Sequence, residues 1–270
     1  MQTLICIRQL PYSEPTVTFG GLIARLLNSS LTLLTVFGKD SQRQLAEAGI
    51  ASAKELLHRQ EITTKLHSGD PLAEILKEAQ ETDYEMIVVG SHDVLRLLDS
   101  LLGTLTDKVA DRAHSHVLIV RGERKELNQI LIPIGGQAMN PDVVKVGARL
   151  AVASGAKVTL LYVTGPVPTM YTGLDDMDET LPELLETDTP VSQHLRWSAE
   201  YLLDKGVMAE LKLQQGVASD EILREAIIAD YDLIVIGARS HASWLKRLLL
   251  IDQVTPHVIE RSPCPVLVIH

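Results

Sequence analysis

The feature that most constrains this chain is that it says one thing twice. Residues 84–122 read YEMIVVGSHDVLRLLDSLLGTLTDKVADRAHSHVLIVRG, and residues 231–270 read YDLIVIGARSHASWLKRLLLIDQVTPHVIERSPCPVLVIH. MIVVG answers LIVIG, and HVLIV answers PVLVI. Setting Gly90 on Gly237 gives an offset of 147 residues. That is the size of a whole domain, far longer than a solenoid repeat. The chain therefore reads as two copies of one α/β domain fused head to tail. The first spans 1–122, a polar linker covers 123–128, and the second spans 129–270.

Within the first copy, TLICIR, SLTLLTVF, EITTKLH, MIVVG and HVLIV are apolar or β-branched runs of strand length. They alternate with segments patterned as helices: 15–28, 40–59, 71–80 and a stretch near 103–113. Asp70 followed by Pro71 is a helix start, with the Asp as cap and the Pro in the first turn. The second copy repeats the order, with helices at 141–153, near 190–205, from Asp220 to Ala229 and near 252–261. Asn140 before Pro141 is the corresponding cap. Continuous apolar strands alternating with amphipathic helices predict a parallel sheet covered on both faces. Tyr84-Glu85 and Tyr231-Asp232 precede equivalent strands, which makes them fold signals. Residues 164–189, rich in acidic residues and prolines and without Lys or Arg, have no counterpart in the first copy. They are expected to form a mobile acidic surface loop.

Net charge is −10, and there is no basic stripe with interleaved aromatics, so neither nucleic acid nor an anionic membrane is an expected partner. No apolar run approaches membrane-spanning length and the N-terminus does not read as a secretory signal, which makes the cytoplasm the expected location. The two cysteines, Cys6 and Cys264, lie at or beside strands without metal-ligand spacing, so no metal is expected. There is no phosphate-binding loop with a terminal Lys-Ser/Thr, no dinucleotide fingerprint and no nucleophile elbow.

Gly90-Ser91-His92-Asp93, nine residues, then Gly103-Thr104 resembles the glycine-rich frame that follows the fourth strand in the universal stress protein family. That frame is Gly, two residues, Gly, nine residues, then Gly with Ser or Thr. ILIPIGG, GARLAVASGAKVTLLYV and RSPCPVLVI are similar to other stretches of that family, and the likeness covers both halves. It implies two adenine-nucleotide alpha-hydrolase-like domains, each a five-stranded parallel sheet in the order 3-2-1-4-5 with helices on both faces. The family divides into members that bind ATP and members that do not, and the resemblance makes ATP or another adenine nucleotide a possible ligand of the first domain.

In the first copy the resemblance assigns that site to Gly90, Ser91, Asp93, Gly103, Thr104 and Leu105. Glycine lets backbone N–H groups approach a phosphate, and a helix starting at Gly103-Thr104 turns its free N–H groups toward an anion. The first copy departs from the pattern at Asp93, which stands where the middle glycine is expected. It departs again at Arg8 and Gln9, where the nucleotide binders carry an Asp at the end of strand one. In the second copy that strand ends in Gly135-Gly136, and Asp252-Gln253 replace the Gly-Thr pair. No nucleotide is expected there.

The expected role is a non-catalytic or barely catalytic stress-response protein acting through nucleotide-sensitive or protein contacts. A slow ATP hydrolase using the first site is one alternative, and a purely structural interaction protein is the other. The two domains are expected to form an internal pseudo-dimer through antiparallel pairing of 117–121 with 266–270, with a homodimer and an unidentified protein partner as further possibilities.

Overall fold

The computed structural model describes residues 2–8, 13–58, 61–91, 115–135, 139–165, 180–238 and 254–270. The expected helix near 103–113 and the site residues Asp93, Gly103, Thr104 and Leu105 lie outside these. The chain divides into two compact units. One comprises Met1–Glu126 with Cys264–His270, and the other Leu127–Pro263.

The first unit runs β1 (Gln2–Ile7), α1 (Glu14–Leu26), β2 (Ser30–Phe37), a 3-10 turn (Asp40–Gln42), α2 (Arg43–Leu57), β3 (Ile62–Ser68), α3 (Pro71–Glu81), β4 (Met86–Gly90) and β5 (His116–Val120). The strands are parallel and ordered β3-β2-β1-β4-β5. Leu4, Ile5, Leu33, Val88 and Leu118 are buried to 1% exposure or less, as a sheet covered on both faces requires. The side chain of Asp70 accepts a hydrogen bond from the Ala73 N–H at 3.0 Å, which makes it the cap that its spacing predicts.

The outer edge of β5 is taken by the last strand of the chain, β10 (Val266–Ile269), which runs antiparallel to it. Val266, Leu267 and Val268 stand opposite Ile119, Leu118 and Val117. Their burial explains why both strands are apolar on both sides: neither meets solvent.

The second unit runs β6 (Gln129–Ile134), α4 (Pro141–Ser154), β7 (Lys157–Thr164), α5 (Leu181–Glu186), α6 (Pro190–Asp204), β8 (Ala209–Gln215), α7 (Ala218–Ile228), β9 (Leu233–Gly237) and α8 (Val254–Arg261). Its strands are parallel and ordered β8-β7-β6-β9. Asn140 accepts from the Asp142 N–H at 2.9 Å and caps α4 as expected. Gly155, at φ 76°, closes α4 in the left-handed conformation.

Element by element, the second unit repeats the first. Gln129, Pro141 and Lys157 open β6, α4 and β7 127 residues after Gln2, Glu14 and Ser30. Pro190, Ala209 and Leu233 open α6, β8 and β9 147 residues after Arg43, Ile62 and Met86. The difference of 20 residues is the inserted stretch between β7 and α6. That stretch departs from the expected loop at its C-terminal end, because Leu181–Glu186 form α5. The Glu183 carboxylate accepts from the Thr180 N–H at 2.8 Å and from the Thr180 hydroxyl at 2.7 Å. Leu184 is 3% exposed, and Arg196 donates to the carbonyls of Leu185 and Thr187. Capping and one buried leucine outweigh the acidic composition.

Ending the chain at Pro263 would remove β10 and leave β5 as a bare apolar edge. The truncated chain is expected to dimerise or aggregate in sedimentation, whereas a well-behaved monomer of unchanged circular dichroism would contradict the role given to β10.

Candidate functional site

In the first unit β1 pairs with β2 on one side and with β4 on the other, all parallel. The chain leaves β1 toward β2 and returns to β4 on the far side, so the connections diverge at the carboxyl ends of β1 and β4. A crevice opens at such a reversal. The helix that borders it is α1, drawn close by Gly20, where a Cβ would lie 2.7 Å from Val88 Cγ1.

At the rim stand Arg8, Ser13, Thr16, Gly90 and Ser91. The Ser13 hydroxyl accepts from the Arg8 N–H at 3.1 Å and fixes the turn out of β1. A Cβ at Gly90 would come 3.0 Å from Thr16 Oγ1, so the glycine lets the hydroxyl and the end of β4 approach closely. Of the expected site residues, Gly90 and Ser91 are therefore placed together at the crevice. Ser13 and Thr16 were not singled out from the sequence. The Ser-Glu-Pro opening of α1 marks the helix start but does not tell which strand end the helix faces.

The equivalent position in the second unit is built differently. Val143 Cγ2, where the first unit has the Thr16 hydroxyl, lies 3.5 Å from the Cβ position of Gly237. The Gly237 carbonyl accepts from Thr255 Oγ1 of α8 at 3.1 Å. Gly135 ends β6 at φ 138°, and its Cβ position is 3.4 Å from the ring of Tyr162. Among the described residues, the glycine that ends the fourth strand thus backs onto a hydroxyl in the first unit and onto a valine methyl in the second. The Universal stress protein family model matches residues 2–121 and again residues 126–270.

The chain belongs to the universal stress protein family.

A universal stress protein from Archaeoglobus fulgidus DSM 4304 has this fold, with a TM-score of 0.66 at 17% identity over 99% of this chain and 95% of its own. A functionally unknown protein from Pseudomonas aeruginosa PAO1 gives 0.66 at 18%, over 99% and 92%. The universal stress protein from Archaeoglobus fulgidus solved with dAMP gives 0.38 at 18%, over 53% of this chain and 98% of its own, and the dAMP is a property of that protein. No curated protein sequence matches the chain.

Both universal stress units share a buried charged cluster at the opposite end of the sheet. Glu78 of α3 is 1% exposed and takes hydrogen bonds from Lys65 of β3 at 2.5 Å, Tyr84 at 2.8 Å and Thr82 at 3.0 Å. Burial by itself raises a carboxyl pKa. Here the hydrogen bonds from Lys65, Tyr84 and Thr82 overcome it and hold Glu78 below its ordinary value. Lys65 is raised, first by its bond to Glu78, and Tyr84 is raised, first by burial.

In the second unit Glu225 takes bonds from Lys212 at 2.8 Å, Gln214 at 2.8 Å and Tyr231 at 3.2 Å. Asp232 adds a clasp, accepting from the Asn128 and Gln129 N–H groups at 2.8 and 3.0 Å. Tyr84, Tyr231 and Asp232 accordingly serve the fold, as their positions before β4 and β9 suggest. Among the described residues no cluster suited to a metal ion is present, and no helix is long and apolar enough to cross a membrane.

Because the folded pKa of Glu78 is depressed, its contribution is complete above the ordinary glutamate range and fades as pH falls through the folded value. Glu78→Gln is expected to cost about 3 kcal/mol at pH 7, where it removes the buried negative charge that pairs with Lys65 and leaves only an amide oxygen as acceptor. The gap should narrow toward pH 3. Urea denaturation at both pH values checks this, and a cost independent of pH would contradict the ion-pair account.

Proposed function

We propose that this chain is a cytoplasmic, non-catalytic stress-response protein. On this reading its two domains form an internal pseudo-dimer and act through nucleotide-sensitive protein contacts, with at most one adenine nucleotide bound, weakly, in the first domain. The supporting observation is the unequal pair of crevices. Gly90 backs onto the Thr16 hydroxyl, with Ser13 and Ser91 beside it, whereas Gly237 backs onto Val143.

On this reading the phosphates lie against the N–H groups of Gly90-Ser91 and the helix start at Gly103-Thr104-Leu105. Backbone N–H groups and a hydroxyl are the donors an anion needs. Asp93 stands in the same loop and weakens the site. In the second domain Asp252 replaces that Gly and brings a like charge. Like charges about 4 Å apart cost about 1 kcal/mol in water and several-fold more in a partly buried cleft. The antiparallel seating of β10 on β5 supports the pseudo-dimer, since that edge of the first sheet is completed by the end of the chain.

Titration calorimetry with ATP on the intact protein and on Gly103→Asp tests the reading. One weak site is expected, abolished by Gly103→Asp. Two equal sites, or binding indifferent to Gly103→Asp, would overturn the phosphate placement. No binding would favour a protein that acts through contacts alone.

A further inference from the structure

The two domains differ at the outer edge of their sheets. β3 and β8 are the outer strands of their units, and among the described residues each pairs with a strand on one side only. A row of unpaired N–H and C=O groups is a template for another strand unless polar side chains guard it. In the first domain they do. Glu61 precedes β3, and Gln80 and Glu81 end α3 at the same end of the sheet, all exposed. The residues 147 positions later are Met208, Ile227 and Ile228. They are 84%, 66% and 73% exposed, and Leu203 is exposed at the end of α6. Helices that return between parallel strands end where the strands begin, so all four lie toward the end at which β8 starts. Large apolar side chains exposed at one end of a domain mark a contact surface.

The charges on β8 tell which strand it takes. Glu210 and Lys212 are two residues apart, so they leave the same face of the sheet, with their charged groups 3.6 Å apart. Lys212 also donates to Glu225 of α7 at 2.8 Å, which puts the pair on the α7 face. Suppose β8 pairs antiparallel with β8 of a second copy about a two-fold axis normal to the sheet. Opposed residues then share a face, so the axis has to pass through a residue. With the axis at Glu210 or at Lys212, like charges meet. With it at Leu211, Glu210 of each copy stands opposite Lys212 of the other, and Ala209 stands opposite Leu213. Met208 then stands opposite Gln214, so the apolar end of each edge lies along the other copy. β3 has no such register, because Thr63 stands where β8 has Glu210 and leaves Lys65 without an opposite charge.

We propose that the outer edge of β8 docks a second copy of this chain, the two β8 strands pairing antiparallel about Leu211. The exposed Leu203, Met208, Ile227 and Ile228 extend the contact at either end. This surface is separate from the pairing of β10 with β5, and it does not depend on the nucleotide reading.

Sedimentation velocity of the full chain over a range of concentrations should show a monomer–dimer equilibrium. Glu210→Lys turns both symmetry-related ion pairs into like-charge pairs and should weaken the dimer about tenfold or more. Met208→Lys combined with Ile228→Lys should weaken it at least as much. These three side chains are exposed, so the variants should melt as the wild-type monomer does. Cysteine cross-linking reads the register, with the wild type as control for Cys6 and Cys264. Leu211→Cys should form a disulfide between copies on mild oxidation, because residue 211 stands opposite itself. Leu213→Cys, which the register sets opposite Ala209, should not.

A wild type that stays monomeric at the highest concentration reached would overturn the proposal and leave this edge to a different protein. A dimer indifferent to Glu210→Lys and to the paired lysine substitutions would overturn it as well. So would a disulfide formed by Leu213→Cys and not by Leu211→Cys.

Discussion

Everything in the first domain follows from the position of β1 between β2 and β4. Hydrogen bonding to parallel neighbours on both sides buries the strand, so Leu4 and Ile5 have no solvent exposure. It also forces the chain to leave in one direction and come back in the other. The crevice at its carboxyl end is a topological consequence, whatever residues line it. What the residues decide is the chemistry. Gly20 lets α1 come down onto Val88, which carries Thr16 to Gly90.

The internal repeat is a comparison within one molecule. Both domains keep Lys, Glu and Tyr at positions 147 residues apart: Lys65 and Lys212, Glu78 and Glu225, Tyr84 and Tyr231. Such clusters are costly to lose one member at a time, since each remaining group is then buried without its partner. Around the carboxyl ends of the strands the two copies diverge at several described positions. Arg8 faces Gly135 in the alignment, Thr16 faces Val143, and Thr35 faces Tyr162. The scaffold is common to the two domains, and the linings of the crevices are not.

Much of this was legible in the sequence because it is local. Strand runs of buried apolar residues, the Asp70 and Asn140 caps and the repeat itself depend on neighbours in the chain. The glycine that ends β4 could be placed for the same reason. The Thr16–Gly90 approach could not, because it joins residues 74 positions apart across a helix-strand contact. Nor could the partners of Glu78, which come from a strand, a helix end and a turn. Helix α5 carried a readable signal in Thr180 and Glu183, a residue pair spaced as a capping box, masked by the acidic composition around it.

On the proposed reading the two domains are unequal as ligand sites although they share one fold. Amide hydrogen exchange with and without ATP tests it most directly, because it reports on each strand end separately. The account predicts that ATP slows exchange in the segment ending β4, residues 86–91, and leaves the segment ending β9, residues 233–238, unchanged. Equal slowing in the two segments, or slowing confined to 233–238, would contradict it.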